Sequence, residues 1–113
     1  MIIGIGTDLV EIARIEKALA RPGFVERILT PAERAYCTTA ERVAGRWAAK
    51  EAIAKVLGTH LTWHQVEVLR GDQGQPVVRF ATTVQEANQW KVHLSISHTD
   101  THALAMVVVE LCS

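Results

Sequence analysis

The sequence predicts an α+β fold: an antiparallel sheet of about three strands packed on one long helix, with shorter helices beside it. Three observations carry that prediction. "TAERVAGRWAAKEAIAKVLG" keeps a helical composition from about Thr39 to Leu57 and meets a stop signal at Gly58. "VHLSIS" alternates strictly, with Val92, Leu94 and Ile96 on one face. "ALAMVVVEL" follows closely and is nearly all apolar, as expected of a strand covered on both faces.

The remaining elements follow in chain order. Residues 2–6 read as a strand, and 9–19 as a helix carrying Leu9, Ile12, Ile15 and Leu19 at helical spacing. Pro22 and Gly23 break that helix, and "FVERIL" is a short amphipathic piece. In "TPAE", Thr30 caps, Pro31 takes the first helical position and Glu33 closes a capping box. Gly45 inside the long helix counts mildly against it. Val66 and Val68 alternate with polar neighbours, and "GDQGQP" at 71–76 is a turn before the strand "VVRF". "TVQEANQ" is a short helix with Thr83 and Glu86 placed as a capping box, and Thr99–His102 closes a hairpin between the last two strands.

Composition excludes several function classes. A length of 113 residues suits one domain spanning 1–113. The 12 basic and 12 acidic residues cancel, so no global field points to nucleic acid or an anionic membrane. Hydrophobic content of 49% argues against disorder. Cys37 and Cys112 lack metal or redox spacing and read as reduced thiols in a cytoplasm. No apolar run approaches the roughly 20 residues of a membrane span, and no basic segment precedes the first apolar stretch as in a signal peptide.

Three groups of residues carry candidate chemistry. "GIGTDL" lacks the third glycine of a dinucleotide fingerprint, Leu9 standing in its place, so that reading is rejected. Asp8 has two compatible readings, as the N-cap of helix 9–19 or as an oxygen ligand. Glu51 and Lys55 are four apart on one helical face, an arrangement that is either a bland ion pair or a cation–phosphate site. Trp47, Ala48 and Ala54 flank that face, and the small residues leave room for a ligand. Asp8 with Glu51 forms an oxygen-only pair that suits Mg²⁺; no His/Cys set has zinc spacing. Ser97, His98 and Thr99 sit where a strand meets a turn, and for those three alone ordinary turn chemistry outweighs ligand binding.

Taken together, "IGIGTDLVEIARI" at 3–15, "FVERILTPAE" at 24–33, "GRWAAKEAIAKVLGT" at 45–59, "GQP" at 74–76 and "SISHT" at 95–99 resemble one family nearly end to end. The chain is similar to the holo-acyl-carrier-protein synthases, the small trimeric branch of the phosphopantetheinyl transferases. The resemblance implies transfer of the phosphopantetheine arm of coenzyme A to a serine of an apo acyl carrier protein, releasing adenosine 3′,5′-bisphosphate with Mg²⁺. It makes Asp8 and Glu51 the metal ligands, Lys55 the pyrophosphate contact, and Ser97, His98 and Thr99 holders of the nucleotide end. Glu51 is then the best candidate to take the serine proton, directly or through a metal-bound water. Arg14 matches the family's carrier-facing arginine, with Arg21 beside it, and Arg46 a contact to coenzyme A phosphates. A homotrimer with sites between subunits is implied as well.

Two local departures and one geometric conflict stand out. "GTH" at 58–60 replaces the family's "GTG", and the segment between Cys37 and Gly45 is short. Arg46 precedes Lys55 by nine residues, which places it about 180° away on a straight helix. Both reach one ligand only if neighbouring subunits present different faces. Two other classes fit the bare residues: a metal-dependent nucleotide phosphohydrolase, and a non-catalytic α+β ligand-binding module.

Overall fold

The computed structural model describes residues 1–58 and 61–112; Thr59 and His60, two-thirds of the "GTH" departure, lie outside the described residues, as does Ser113. Five strands and five helices follow in the order β1 (Ile2–Glu11), α1 (Ile12–Leu19), α2 (Phe24–Ile28), α3 (Pro31–Tyr36), α4 (Ala40–Leu57), β2 (Val66–Arg70), β3 (Pro76–Phe80), α5 (Thr82–Asn88), β4 (Trp90–His98) and β5 (His102–Leu111). A short 3₁₀ turn, Trp63–Gln65, leads into β2. The main sheet is antiparallel and three-stranded, as predicted; its strand order is β1-β5-β4, and β2 and β3 form a separate two-stranded ribbon.

The long helix decides where everything else sits. Thr39 caps α4 by accepting from the Arg42 N–H, and Gly58 ends it in the left-handed region at φ 58°, which glycine adopts without steric cost. Ala44, Ala48, Ala49 and Ala52 are fully buried, so α4 lies close on β1 and β5. It crosses the sheet diagonally. Near its start, a methyl group on Gly45 would sit 3.1 Å from Ile96 of β4; near its end, β1 approaches at Gly4 and Gly6. A methyl on Gly6 would collide with the Ala52 carbonyl oxygen, and one on Gly4 would sit 2.6 Å from Val56 Cγ1. The two glycines of "IGIG" therefore exist for close approach of strand and helix. Ile12, Ile28, Leu29, Val43 and Ile53 fill the remaining core, and each such burial contributes about 1.5–3 kcal/mol before entropy is counted.

Four sequence expectations are corrected. β1 runs on to Glu11 rather than stopping at residue 6, because β5 pairs with it as far as Glu11↔His102. α1 consequently begins at Ile12, its N-cap is Glu11 without a side-chain bond, and Leu9 stands exposed on the strand. Asp8 is not a helix cap. α5 is capped by Ala81 with no side-chain bond, so the Thr83–Glu86 capping box does not form. β5 is covered on one face only: Ala103, Ala105, Val107 and Val109 are buried, whereas Leu104 and Met106 are each 42% exposed. The Thr30 box does form as predicted, with Thr30 accepting from the Glu33 N–H and Glu33 from the Thr30 N–H.

Candidate active site

The helix-facing side of the sheet brings Asp8 to α4. In register, Asp8 pairs with Ala105, which pairs with Ile96, so Asp8 shares the inner face with Gly6 and Val10. The tight packing at Gly6 then sets Asp8 against the helix one turn away from Glu51. Lys55 Nζ donates to the Thr7 carbonyl at 2.9 Å and to Asp8 Oδ1 at 3.2 Å. Lys55 thus pairs with the strand acid rather than with Glu51 four residues earlier. Burial pushes the Glu51 carboxyl above the usual range, the charge of Asp8 pushes it further, and Lys55 opposes both. A half-buried carboxylate that feels a second carboxylate is poised to accept a cation or a proton.

That donor set fits Mg²⁺. Asp8 and Glu51 lie close enough for the charge of one to raise the proton affinity of the other, and among the described residues no third His, Cys, Asp or Glu joins them, so a metal held here would take its other ligands from water and substrate. Small hard cations that keep several waters are bound in that way, whereas structural zinc takes a full set of side chains.

The other predicted residues fall into separate places. Arg14 and Arg21 line one cavity with Val10, Ile15, Ala18, Phe24 and Trp47, two exposed cations flanking an apolar floor. Arg46 lies buried at the opposite end of α4 from Lys55, about 13 Å along the axis at 1.5 Å per residue. His98 lines the same cavity as Arg46. Ser97 does not join them: it registers with Leu104 on the outer face of the sheet. Thr99 Oγ1 accepts from the Thr101 and His102 N–H groups at 3.2 and 3.1 Å, so its hydroxyl serves the hairpin turn. One chain therefore holds these residues in two separate places, Asp8, Glu51 and Lys55 toward the end of α4 and Arg46 with His98 of β4 toward its start.

Sequence reasoning missed the group that locks this helix in place. Lys50, beside Glu51, is buried, and its ammonium donates to Glu33 Oε1 at 2.7 Å and to the Ile28 and Trp63 carbonyls at 2.8 Å each. Its three donors are thereby used up. Glu33 also accepts from the Val68 N–H at 2.7 Å, so the capping-box acid ties α3, α4 and β2 together. Only the unusual burden on Glu33 could have signalled this, and a capping box alone does not name its second partner.

Comparison with known proteins gives the chain's family. Residues 4–107 match the 4′-phosphopantetheinyl transferase superfamily. The chain belongs to that superfamily. A protein of Koribacter versatilis called holo-[acyl-carrier-protein] synthase is 43% identical over 97% of this chain and 99% of its own length. A crystal structure of the Helicobacter pylori holo-[acyl-carrier-protein] synthase with coenzyme A superposes with TM-score 0.88 at 31% identity, covering 95% of this chain and all of that one. The Bacillus anthracis enzyme in complex with CoA (3′,5′-ADP) gives TM-score 0.86 at 42% identity, covering 99% of both chains. In this chain the β1–α4 meeting point is where two carboxylates and a lysine converge, and the close packing at Gly6 builds it.

Proposed function

We propose that this chain is one transferase domain that moves the phosphopantetheine arm of coenzyme A onto a serine of an apo acyl carrier protein, releasing adenosine 3′,5′-bisphosphate. The observation that carries the reading is the junction of Asp8, Glu51 and Lys55 at the packed crossing of β1 and α4. In the reaction the serine oxygen attacks the phosphorus bearing the pantetheine arm, and the bond to the nucleotide phosphate breaks. Glu51, with its raised proton affinity, takes the serine proton. Lys55, 57% exposed and anchored on Asp8, places its charge where the pyrophosphate arrives. Asp8 and Glu51 would hold Mg²⁺, which when bound neutralises charge on the departing phosphate.

The separation of these two places supports a homotrimer in which neighbouring subunits complete each site. The outer sheet face supports it too: Ile5, Leu9, Leu104 and Met106 are 69%, 63%, 42% and 42% exposed on one side of β1 and β5. Such a patch on so small a chain calls for cover. The apolar face of Val92, Leu94 and Ile96, by contrast, packs inward against the core. Arg14 and Arg21 would meet the acidic carrier, and His98 and Arg46 the nucleotide. Among the described residues no helix is long and apolar enough to cross a membrane, and two free cysteines fit a cytoplasmic enzyme.

The deciding experiment incubates the protein with coenzyme A, Mg²⁺ and apo acyl carrier protein and follows carrier mass. A gain of one phosphopantetheine, abolished by chelator, is the expected result. Release of nucleotide without carrier would make the chain a phosphohydrolase, and no turnover at all would make it a binding module.

A further inference from the structure

The turn that leads into β2 is tied down more firmly than a connector requires. The Trp63 carbonyl accepts from the buried Lys50 ammonium at 2.8 Å, and the Trp63 ring stacks on Trp47 of α4 with 4.8 Å between centroids. Trp47 stacks in turn on Phe24 of α2 at 5.9 Å. His64 Nε2 donates to the Glu26 carbonyl at 2.8 Å, the Gln65 carbonyl accepts from the Ala81 N–H at 2.8 Å, and Gln65 closes a capping box on Thr62. Surface connections are ordinarily the mobile parts of a fold. This one is fixed to α2, to α4 and to the residue after β3.

What the tethers hold is an apolar wall beside Glu51. Leu61, Trp63 and Val66 line a cavity of about 70 Å³ with Ile53, Ala54 and Glu51 of α4. Water would fit by size, since about 10–15 Å³ suffices for one molecule, but a buried water also needs two to four polar partners. Lys50, which lines the cavity too, has spent its three donors on Glu33 and on the Ile28 and Trp63 carbonyls. Among the described residues no buried side-chain nitrogen or oxygen lacks a partner, so no buried side chain here calls for a water.

A dry wall at that position bears on the choice of acceptor. Resting on the transferase reading, Glu51 takes the proton of the attacking hydroxyl, and solvent is the competing nucleophile. Water attacking the same phosphorus would form a new P–O bond and break the bond to the bridging oxygen. It would leave 4′-phosphopantetheine and adenosine 3′,5′-bisphosphate, with one water proton passing to Glu51 and on to solvent. Each such event consumes coenzyme A and loads no carrier. Excluding water from an active site suppresses side reactions of this kind.

We propose that Leu61 and Trp63 set the acceptor: their side chains keep water from the position beside Glu51, so that the serine of a docked carrier is the nucleophile that reaches it. Lys50 and Trp47 hold that wall in place. Trp47 also lines the cavity of Arg14 and Arg21, so the wall adjoins the surface at which the carrier would arrive.

The test measures nucleotide release from coenzyme A with and without apo carrier protein, on the full-length protein at saturating Mg²⁺. Wild type should release one nucleotide per carrier loaded, with carrier-free release on the order of 1% of that rate. Leu61→Asn nearly conserves volume but supplies a hydrogen-bond partner for water, and carrier-free release should rise about tenfold. Trp63→Ser opens the wall and should raise it further while lowering carrier loading. Trp63→Phe should stay close to wild type, because a ring still stacks on Trp47. Calorimetry with adenosine 3′,5′-bisphosphate should leave Leu61→Asn within about twofold of wild type, which separates an altered acceptor from a damaged nucleotide site. A merely structural role would lower loading and carrier-free release together and leave their ratio unchanged. That result, or unchanged release in Leu61→Asn with product binding intact, overturns the proposal. Leu61→Asn leaves the stack and the Lys50 bond in place, so it decides the matter if Trp63→Ser does not fold. Wild type that loads carrier, with no rise in Leu61→Asn, would remove the water shield and leave the transferase reading. Wild type that loads no carrier, while Leu61→Asn releases nucleotide, would do the reverse. Wild type that hydrolyses coenzyme A freely would remove both.

Discussion

A single methyl group at Gly6 should disable this protein at a distance. In Gly6→Ala the new carbon would collide with the Ala52 carbonyl oxygen and stand 2.8 Å from Val56 Cγ2. A valine methyl can rotate aside, but the carbonyl belongs to the backbone of α4 and is held in the helix. β1 and α4 must therefore separate. Overpacking of this kind costs about 1–3 kcal/mol, and the lower backbone entropy of alanine in the unfolded chain returns only about 0.5–1. The net loss of about 1–2 kcal/mol corresponds to a melting temperature lower by about 4–8 °C for a chain of this size. Activity should fall further than stability. Thr7 and Asp8, the next two residues, hold Lys55 at 2.9 and 3.2 Å, so a shift of the strand moves Asp8 and Lys55 together. A misplacement near 1 Å costs on the order of 100-fold in rate. Gly4→Ala, whose close contact at 2.6 Å is a valine methyl, should be milder on both counts. Differential scanning fluorimetry and a carrier-loading assay run well below the melting transition separate the two effects. Gly6→Ala with wild-type melting and turnover, or with Gly4→Ala the worse of the two, would refute the close-packing account.

Other perturbations test other parts. Asp8→Asn should keep its fold and lose most turnover, partly restored by raised Mg²⁺; Glu51→Gln should be restored less, since it also loses the proton acceptor, and titrating turnover against Mg²⁺ for both variants measures the difference. Arg14→Glu should weaken carrier binding strongly while nucleotide binding stays near wild type, and the wild-type association rate should fall as salt rises; equal loss for both ligands would place Arg14 in the fold or the nucleotide site. The Thr30 hydroxyl, donating at 2.5 Å, and Arg79 hold the Glu67 carboxyl below the usual carboxylate range. Its folded pKa is thus below its unfolded one, and its stabilisation is complete above about pH 4.5 and lost as pH falls through the folded value. Urea unfolding from pH 5.5 downward should show wild type losing stability faster than Glu67→Gln; parallel curves would show that this carboxylate contributes nothing.

Much of this protein was legible in local sequence because the physics there is local. The α4 helix from Thr39 to Gly58 announces itself by its cap and its left-handed stop, and the Thr30 box by residues three apart. The alternation of 92–96 marks the inner face of β4, and the family motifs point to Asp8, Glu51 and Lys55. What local sequence could not supply is set by partners far along the chain. Leu9 matches the helical phase of Ile12 and Ile15, yet it lies in a strand because Leu104 pairs with it across the sheet. That pairing turns Asp8 from a cap into an inward-facing acid. Lys55 selects Asp8, 47 residues away, over Glu51 on its own helix, because β1 is pressed against α4 at Gly6. Lys50 finds Glu33, and Tyr36 gathers arginines from α4 and β2, for the same reason. Caps and periodicities involve a few neighbouring residues and are written in them; buried charge pairs and the meeting of strand with helix depend on which surfaces pack, and only the folded chain decides that.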